Sequence, residues 1–165
     1  MADRLFVSWE EYRAAIEALA IEIVRSGWEF DSIICLARGG LRVGDVFSRL
    51  WEVPLGILAT RSYRGEGNRG SLTIAPQLTF TGTTFGKRVL LVDDLVDSGV
   101  TLRETLDFLR SKYPDIEEWR TAVIWYKAIS VFEPDYYVSY LPDNPWIYQP
   151  FEEYENLSPR DLLEK

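Results

Sequence analysis

Three short runs of nearly unbroken apolar residues constrain the fold of this chain more than any other feature: "SIICLA" at 32–37, "RVLLVDD" at 88–94 and "TAVIWY" at 121–126. Each is strand-sized, rich in β-branched or aromatic residues, and interleaved with helical patterns. A strand that is apolar at successive positions needs cover on both faces, which a parallel sheet between layers of helices provides. The expected fold class is α/β.

The helix before the first run is legible as well. Ser8 opens a capping box, Ser-Trp-Glu-Glu, and Tyr12, Ile16, Leu19, Ile23 and Val24 follow at helical spacing, predicting a helix to about Gly27. No repeat, low-complexity tract or Pro/Gly/Ser-rich linker divides the 165 residues, and 47% of them are hydrophobic, so one domain over 1–165 is expected.

Polar residues follow every run: Arg38 to Gly40, Asp93 to Gly99, and Lys127. In open α/β sheets ligands bind in the crevice outside the carboxyl ends of the strands, so three separate stretches point to one site. After Asp94 the chain turns through Leu95 to Gly99 and enters a helix whose buried face carries Leu102, Leu106 and Leu109. A glycine turn at a helix start offers unpaired N–H groups and the positive end of the helix dipole, which suit a phosphate monoester. Ser98 and Thr101 add hydroxyl donors, and Asp93 and Asp94 suit ribose hydroxyls or hydrated magnesium. Helix capping alone accounts for one acidic residue here, not for two more at the end of a buried strand.

Composition removes several alternatives. The chain has no histidine, which excludes Ser-His and Cys-His nucleophiles, and its one cysteine, Cys35, argues against a zinc site and against an oxidising compartment. A net charge of −8 works against nonspecific binding to nucleic acid or anionic membrane. The N-terminal stretch lacks a signal-peptide core and no segment reaches the ~18 consecutive apolar residues of a membrane span, so a soluble, cytoplasmic protein is expected. "GEGNRG" at 65–70 matches G-x-G-x-x-G, but "SLTIAPQLTF" after it reads as strand, which rejects a dinucleotide fingerprint. Its glycines suit a flexible lid between Tyr63 and Thr73, in which Ser62, Tyr63 and Arg69 can close over pyrophosphate.

"VLLVDDLVDSGVTL" at 89–102 resembles the phosphoribosyl pyrophosphate signature of the type I phosphoribosyltransferases. Other stretches narrow the resemblance to the xanthine-guanine phosphoribosyltransferases: "LFVSWEEY" near the N-terminus, "CLARGGLRVGDVFSRLW" with its Arg-Gly-Gly, "RSYRGEGNR" with its Ser-Tyr loop, and "LPDNPWIYQPFE" with a Trp-Ile-x-Gln-Pro pattern. The match spans about Leu5 to Glu152. It implies a central, mostly parallel sheet flanked by helices, a mobile loop, and a small C-terminal hood drawn from about 141–165.

The resemblance also implies roles. Asp97, Ser98, Gly99, Val100 and Thr101 would hold the 5′-phosphate, and Asp93 and Asp94 would engage the ribose hydroxyls directly or through water on Mg2+, with Asp94 the metal-side carboxylate. Asp97 would receive the proton from purine N7, making Asp97, Asp93 and Asp94 the catalytic set. Arg38 and Gly39 would bind pyrophosphate, behind a cis Ala37–Arg38 peptide, and Arg69 would join them from the lid. Lys127 would donate to purine O6, Trp146 would stack on the base, and the Ile147 backbone would read its edge; taken alone, a lysine after a strand is an ordinary solvated charge. Val100 stands where a second glycine is frequent, and Tyr148 where a relative can carry an acidic residue, which leaves guanine, xanthine and hypoxanthine unseparated. The implied partners are phosphoribosyl pyrophosphate, a purine base and a second copy of the chain, in a homodimer or homotetramer whose interface candidates include Trp51, Trp119 and Tyr140. Two alternatives stay open: transfer to another base, and a regulator of this fold that binds nucleic acid.

Overall fold

The computed structural model describes residues 4–62 and 72–164. It begins with strand β1 (Arg4–Phe6), helix α1 (Trp9–Ser26), strand β2 (Ser32–Ala37) and helix α2 (Leu41–Trp51). Next come β3 (Leu55–Ser62), β4 (Leu72–Ile74), β5 (Thr79–Phe80), β6 (Arg88–Val92) and the two-residue β7 (Leu95–Val96). Helix α3 (Val100–Lys112), β8 (Glu118–Lys127), β9 (Tyr136–Leu141) and β10 (Trp146–Tyr148) complete the order, followed by 3-10 turns at Glu152–Asn156 and Asp161–Glu164.

Strands β3, β2, β6, β8 and β9 lie side by side and parallel, with β4 and β5 antiparallel on β3. Their alternation explains the apolar runs. Ile33, Cys35, Leu90, Val92, Ala122 and Ile124 pack with Tyr12, Ile16, Leu19 and Ile23 of α1 and Val43 and Phe47 of α2. Ile34, Leu36, Val89, Leu91 and Val123 pack on the other face with Leu102, Leu106 and Leu109 of α3. Every residue of such a strand is interior, so hydrophobicity cannot alternate. Burial also pushes the Cys35 thiol up to about 12, which makes it packing material rather than a nucleophile.

The capping box at Ser8 forms in both directions, Glu11 N–H donating to Ser8 Oγ and Ser8 N–H to Glu11 Oε2. The structure departs from the sequence expectation in three places. Strand β8 begins at Glu118 rather than Thr121, because Trp119 and Thr121 point inward while Arg120 bonds Glu118 Oε1 and Tyr136 Oη at the rim. Trp119 is only 8% exposed and so leaves the set of interface aromatics; Trp51 is half-buried and Tyr140 exposed. The ladder beside β8 is interrupted at Asp93 and Asp94, then resumes as β7, where Leu95 and Val96 pair with Trp125 and Tyr126. No helix among the described residues is long and apolar enough to cross a membrane.

Strands β1 and β10 form a separate parallel pair, Arg4 to Phe6 against Trp146 to Tyr148. The N-terminal segment thus supports the C-terminal one above the carboxyl ends of the main sheet.

Candidate active site

The acidic pair sits where β6 stops. Ile124 and Trp125 both donate to the Asp94 carbonyl, which pins the backbone to β8 while both side chains turn toward the cleft. Asp94 N–H donates to Asp93 Oδ1 at 2.9 Å. Desolvation first, then the Asp94 charge, raise the Asp93 carboxyl well above the ordinary carboxylate range. Two carboxylates held this close are a place where a cation or hydroxyl donors relieve repulsion.

The loop after β2 closes on that pair. A Cβ at Gly39 would lie 2.3 Å from Asp94 Oδ1, so only glycine lets the loop approach this closely. The Ala37–Arg38 peptide is cis, as the family resemblance implied. Arg38 is exposed, with Glu155 Oε1 3.7 Å from its guanidinium; such a surface pair contributes little and yields readily to a stronger anion.

Beyond β7 the chain turns at Gly99 into α3. Gly99 takes φ +79° as the N-cap of α3 and has no side chain of its own to cap it; Val100 N–H donates to Ser98 Oγ at 3.4 Å, and the start of the helix lines the cleft. Ser98, Val100 and Thr101 line the same wall. The Ser98 carbonyl accepts from Val131 N–H at 2.9 Å, tying the turn to the segment that follows β8.

Lys127 closes β8 at 5% exposure, and its Nζ lies 3.2 Å from Asp97 Oδ1. The solvated-charge reading of this lysine fails: it is a buried cation aimed at the carboxylate of a neighbouring loop. Lys127 lies behind the open wall and reaches the cleft through Asp97. Trp146, 47% exposed, lines the cleft, whereas Ile147 beside it is buried at 3% exposure, pairs with Leu5 of β1 and is not among the lining residues. Arg69, with Tyr63 and the rest of the expected lid at 63–71, lies outside the described residues.

Sequence reasoning gave no role to two residues of this cleft. Gln149 is buried, and its Nε2 donates to Asp94 Oδ2 at 2.6 Å. Tyr12, buried on α1, has an Oη with no hydrogen-bond partner, and burial followed by the Asp94 charge raises its phenol above the usual range. The Trp-Ile-x-Gln-Pro pattern contained Gln149, but nothing local shows that its partner lies 55 residues earlier. Together these groups line a cleft of about 1950 Å³, ample for a sugar phosphate and a base.

A mostly parallel sheet that brings the start of a helix, a carboxylate pair and a buried lysine–aspartate pair to one edge fits the class of enzymes that handle phosphorylated sugars. The chain belongs to the phosphoribosyl transferase family, whose domain model matches residues 8–156. It is 30% identical over 148 residues to the xanthine-guanine phosphoribosyltransferase of Idiomarina loihiensis, covering 89% of this chain and 86% of that one. Among solved structures it resembles a purine phosphoribosyltransferase from Pyrococcus horikoshii, with TM-score 0.73, 29% identity, and 90% and 93% of the two chains covered. The xanthine-guanine-hypoxanthine phosphoribosyltransferase of Helicobacter pylori shares the fold, with TM-score 0.73, 23% identity, and 98% and 99% covered.

Proposed function

We propose that the protein transfers the 5-phosphoribosyl group of phosphoribosyl pyrophosphate to a 6-oxopurine, giving a nucleoside 5′-monophosphate and pyrophosphate. The observation that carries the reading is the buried Lys127–Asp97 pair. An ammonium donor suits the O6 of guanine, xanthine or hypoxanthine and has no partner on a 6-amino group. Asp97, beside it, would take the N7 proton as N9 of the base attacks C1 and pyrophosphate leaves. The relatives named for purine, xanthine and guanine transfer support the same substrate class.

The remaining residues serve position and charge. N–H groups of the 98–101 cradle and the hydroxyls of Ser98 and Thr101 hold the 5′-phosphate, while Arg38 and Gly39 receive the pyrophosphate. Asp93 and Asp94 take the ribose hydroxyls. Their mutual repulsion fits a hydrated Mg2+, and two carboxylates suit an ion that keeps several waters and shares substrate oxygens. When bound, magnesium neutralises charge on the departing pyrophosphate. Trp146 covers one face of the base, the Ile147 backbone meets its edge, and the hood from about 141 to 165 completes a single working domain. A homodimer or homotetramer in the cytoplasm belongs to the same reading.

Lys127→Ala tests it. The variant should lose about 10–100-fold in kcat/KM for a 6-oxopurine, carried mainly by KM of the base, with KM of phosphoribosyl pyrophosphate within about threefold. An unchanged kcat/KM would remove Lys127 from base recognition.

A further inference from the structure

We propose that Gln149 is a positioning residue: it holds Asp94 in the orientation that receives the ribose and its metal, and so ties the hood to the acidic pair. The inference rests on the phosphoribosyl pyrophosphate reading of the cleft. Gln149 is 5% exposed, stands one residue beyond β10, and donates through Nε2 to Asp94 Oδ2 at 2.6 Å. Asp94 Oδ1 faces the α-carbon of Gly39, where even a methyl group would collide. The carboxylate is therefore fixed on both sides, by the pyrophosphate loop and by the hood.

The amide can take only one orientation. Turned over, Gln149 would place Oε1 against Asp94 Oδ2, acceptor against acceptor. In the orientation that bonds Asp94, Oε1 is buried without a partner. A buried acceptor of this kind costs stability unless a donor arrives, and Gln149 lines the cleft. The donors that arrive with substrate are ribose hydroxyls and metal-bound water. Gln149 N–H also faces Glu152 Oε1 at 3.3 Å, and Glu152 N–H donates to the Gln149 carbonyl at 3.0 Å, so its backbone is held by the turn that follows.

The test is calorimetric binding of phosphoribosyl pyrophosphate, with magnesium and with chelator, to wild type, Gln149→Leu and Gln149→Glu, with inorganic phosphate as control ligand for the 98–101 cradle. Gln149→Leu should weaken magnesium-loaded phosphoribosyl pyrophosphate about 10–100-fold, the usual effect of removing the group that orients a ligand-holding carboxylate, and leave phosphate within twofold. Gln149→Glu keeps the size of the side chain but sets a second acceptor against Asp94, so it should weaken the same ligand at least as much and leave phosphate within twofold. Wild-type affinity in either variant, or equal weakening of both ligands, would overturn the inference alone. No magnesium-dependent binding by wild type would overturn the cleft reading and the inference with it.

Discussion

Asp93 shows what the site costs at the level of a single residue. Its carboxyl is raised by desolvation and by Asp94, so folding favours its protonated form. A group with a raised folded pKa contributes its full stability below the unfolded value, about 3.9, and loses it as pH rises through the folded value. Asp93→Asn keeps an Oδ1 acceptor for Asp94 N–H and removes the repulsion. In chelator at pH 8 its Tm should exceed that of wild type by a few degrees, with the gap closing toward pH 4 and transferase activity depressed throughout. A lower Tm at pH 8 would mean that the charged pair stabilises the free protein. The position of both aspartates beside the cleft was legible in the sequence, because two carboxylates end a buried strand where a sheet of this kind opens. Gln149 was not, since a glutamine reads as surface until the fold brings Asp94 to it, and Tyr12 read as one more apolar position of α1.

At the scale of elements, the cradle depends on how α3 begins. Gly99 lies at φ +79°, and a Cβ there would sit 2.2 Å from Ser130 Oγ and 2.8 Å from Phe132 N. Alanine pays for the left-handed backbone, about 1–2 kcal/mol, and also displaces the segment packed behind it. Gly99→Ala should raise KM for phosphoribosyl pyrophosphate tenfold or more while the base KM moves little; an unchanged KM would mean that the turn is not the phosphate site. The glycine and the leucine spacing of α3 were both readable, as were β2, β6 and the capped α1. Strands β1 and β10 were not: three residues carry no periodicity, and each is a strand only because the other lies beside it. Strand β9 was missed for a related reason. Its "YYVSYL" carries one buried ring, Tyr136, and two exposed ones, Tyr137 and Tyr140, without regular alternation.

For the whole molecule, the sheet gathers at one edge three loops that are far apart in sequence, and residues between Trp146 and Glu155, paired through β10 with β1, line the same cleft. The net charge of −8 is compatible with an anionic substrate because the positive potential is local: the start of α3, Arg38 and buried Lys127. The parallel sheet could be anticipated from its apolar runs, whereas the Lys127–Asp97 contact required the register of β8 against β6 and β7. The most direct measurement is a competition: phosphoribosyl pyrophosphate and magnesium with equimolar guanine, xanthine, hypoxanthine, adenine and uracil, scored by which nucleoside monophosphates form. 6-Oxopurine transfer predicts products from guanine, xanthine and hypoxanthine only. Adenine or uracil nucleotide as the main product, or no product despite magnesium-dependent binding of phosphoribosyl pyrophosphate, would contradict it.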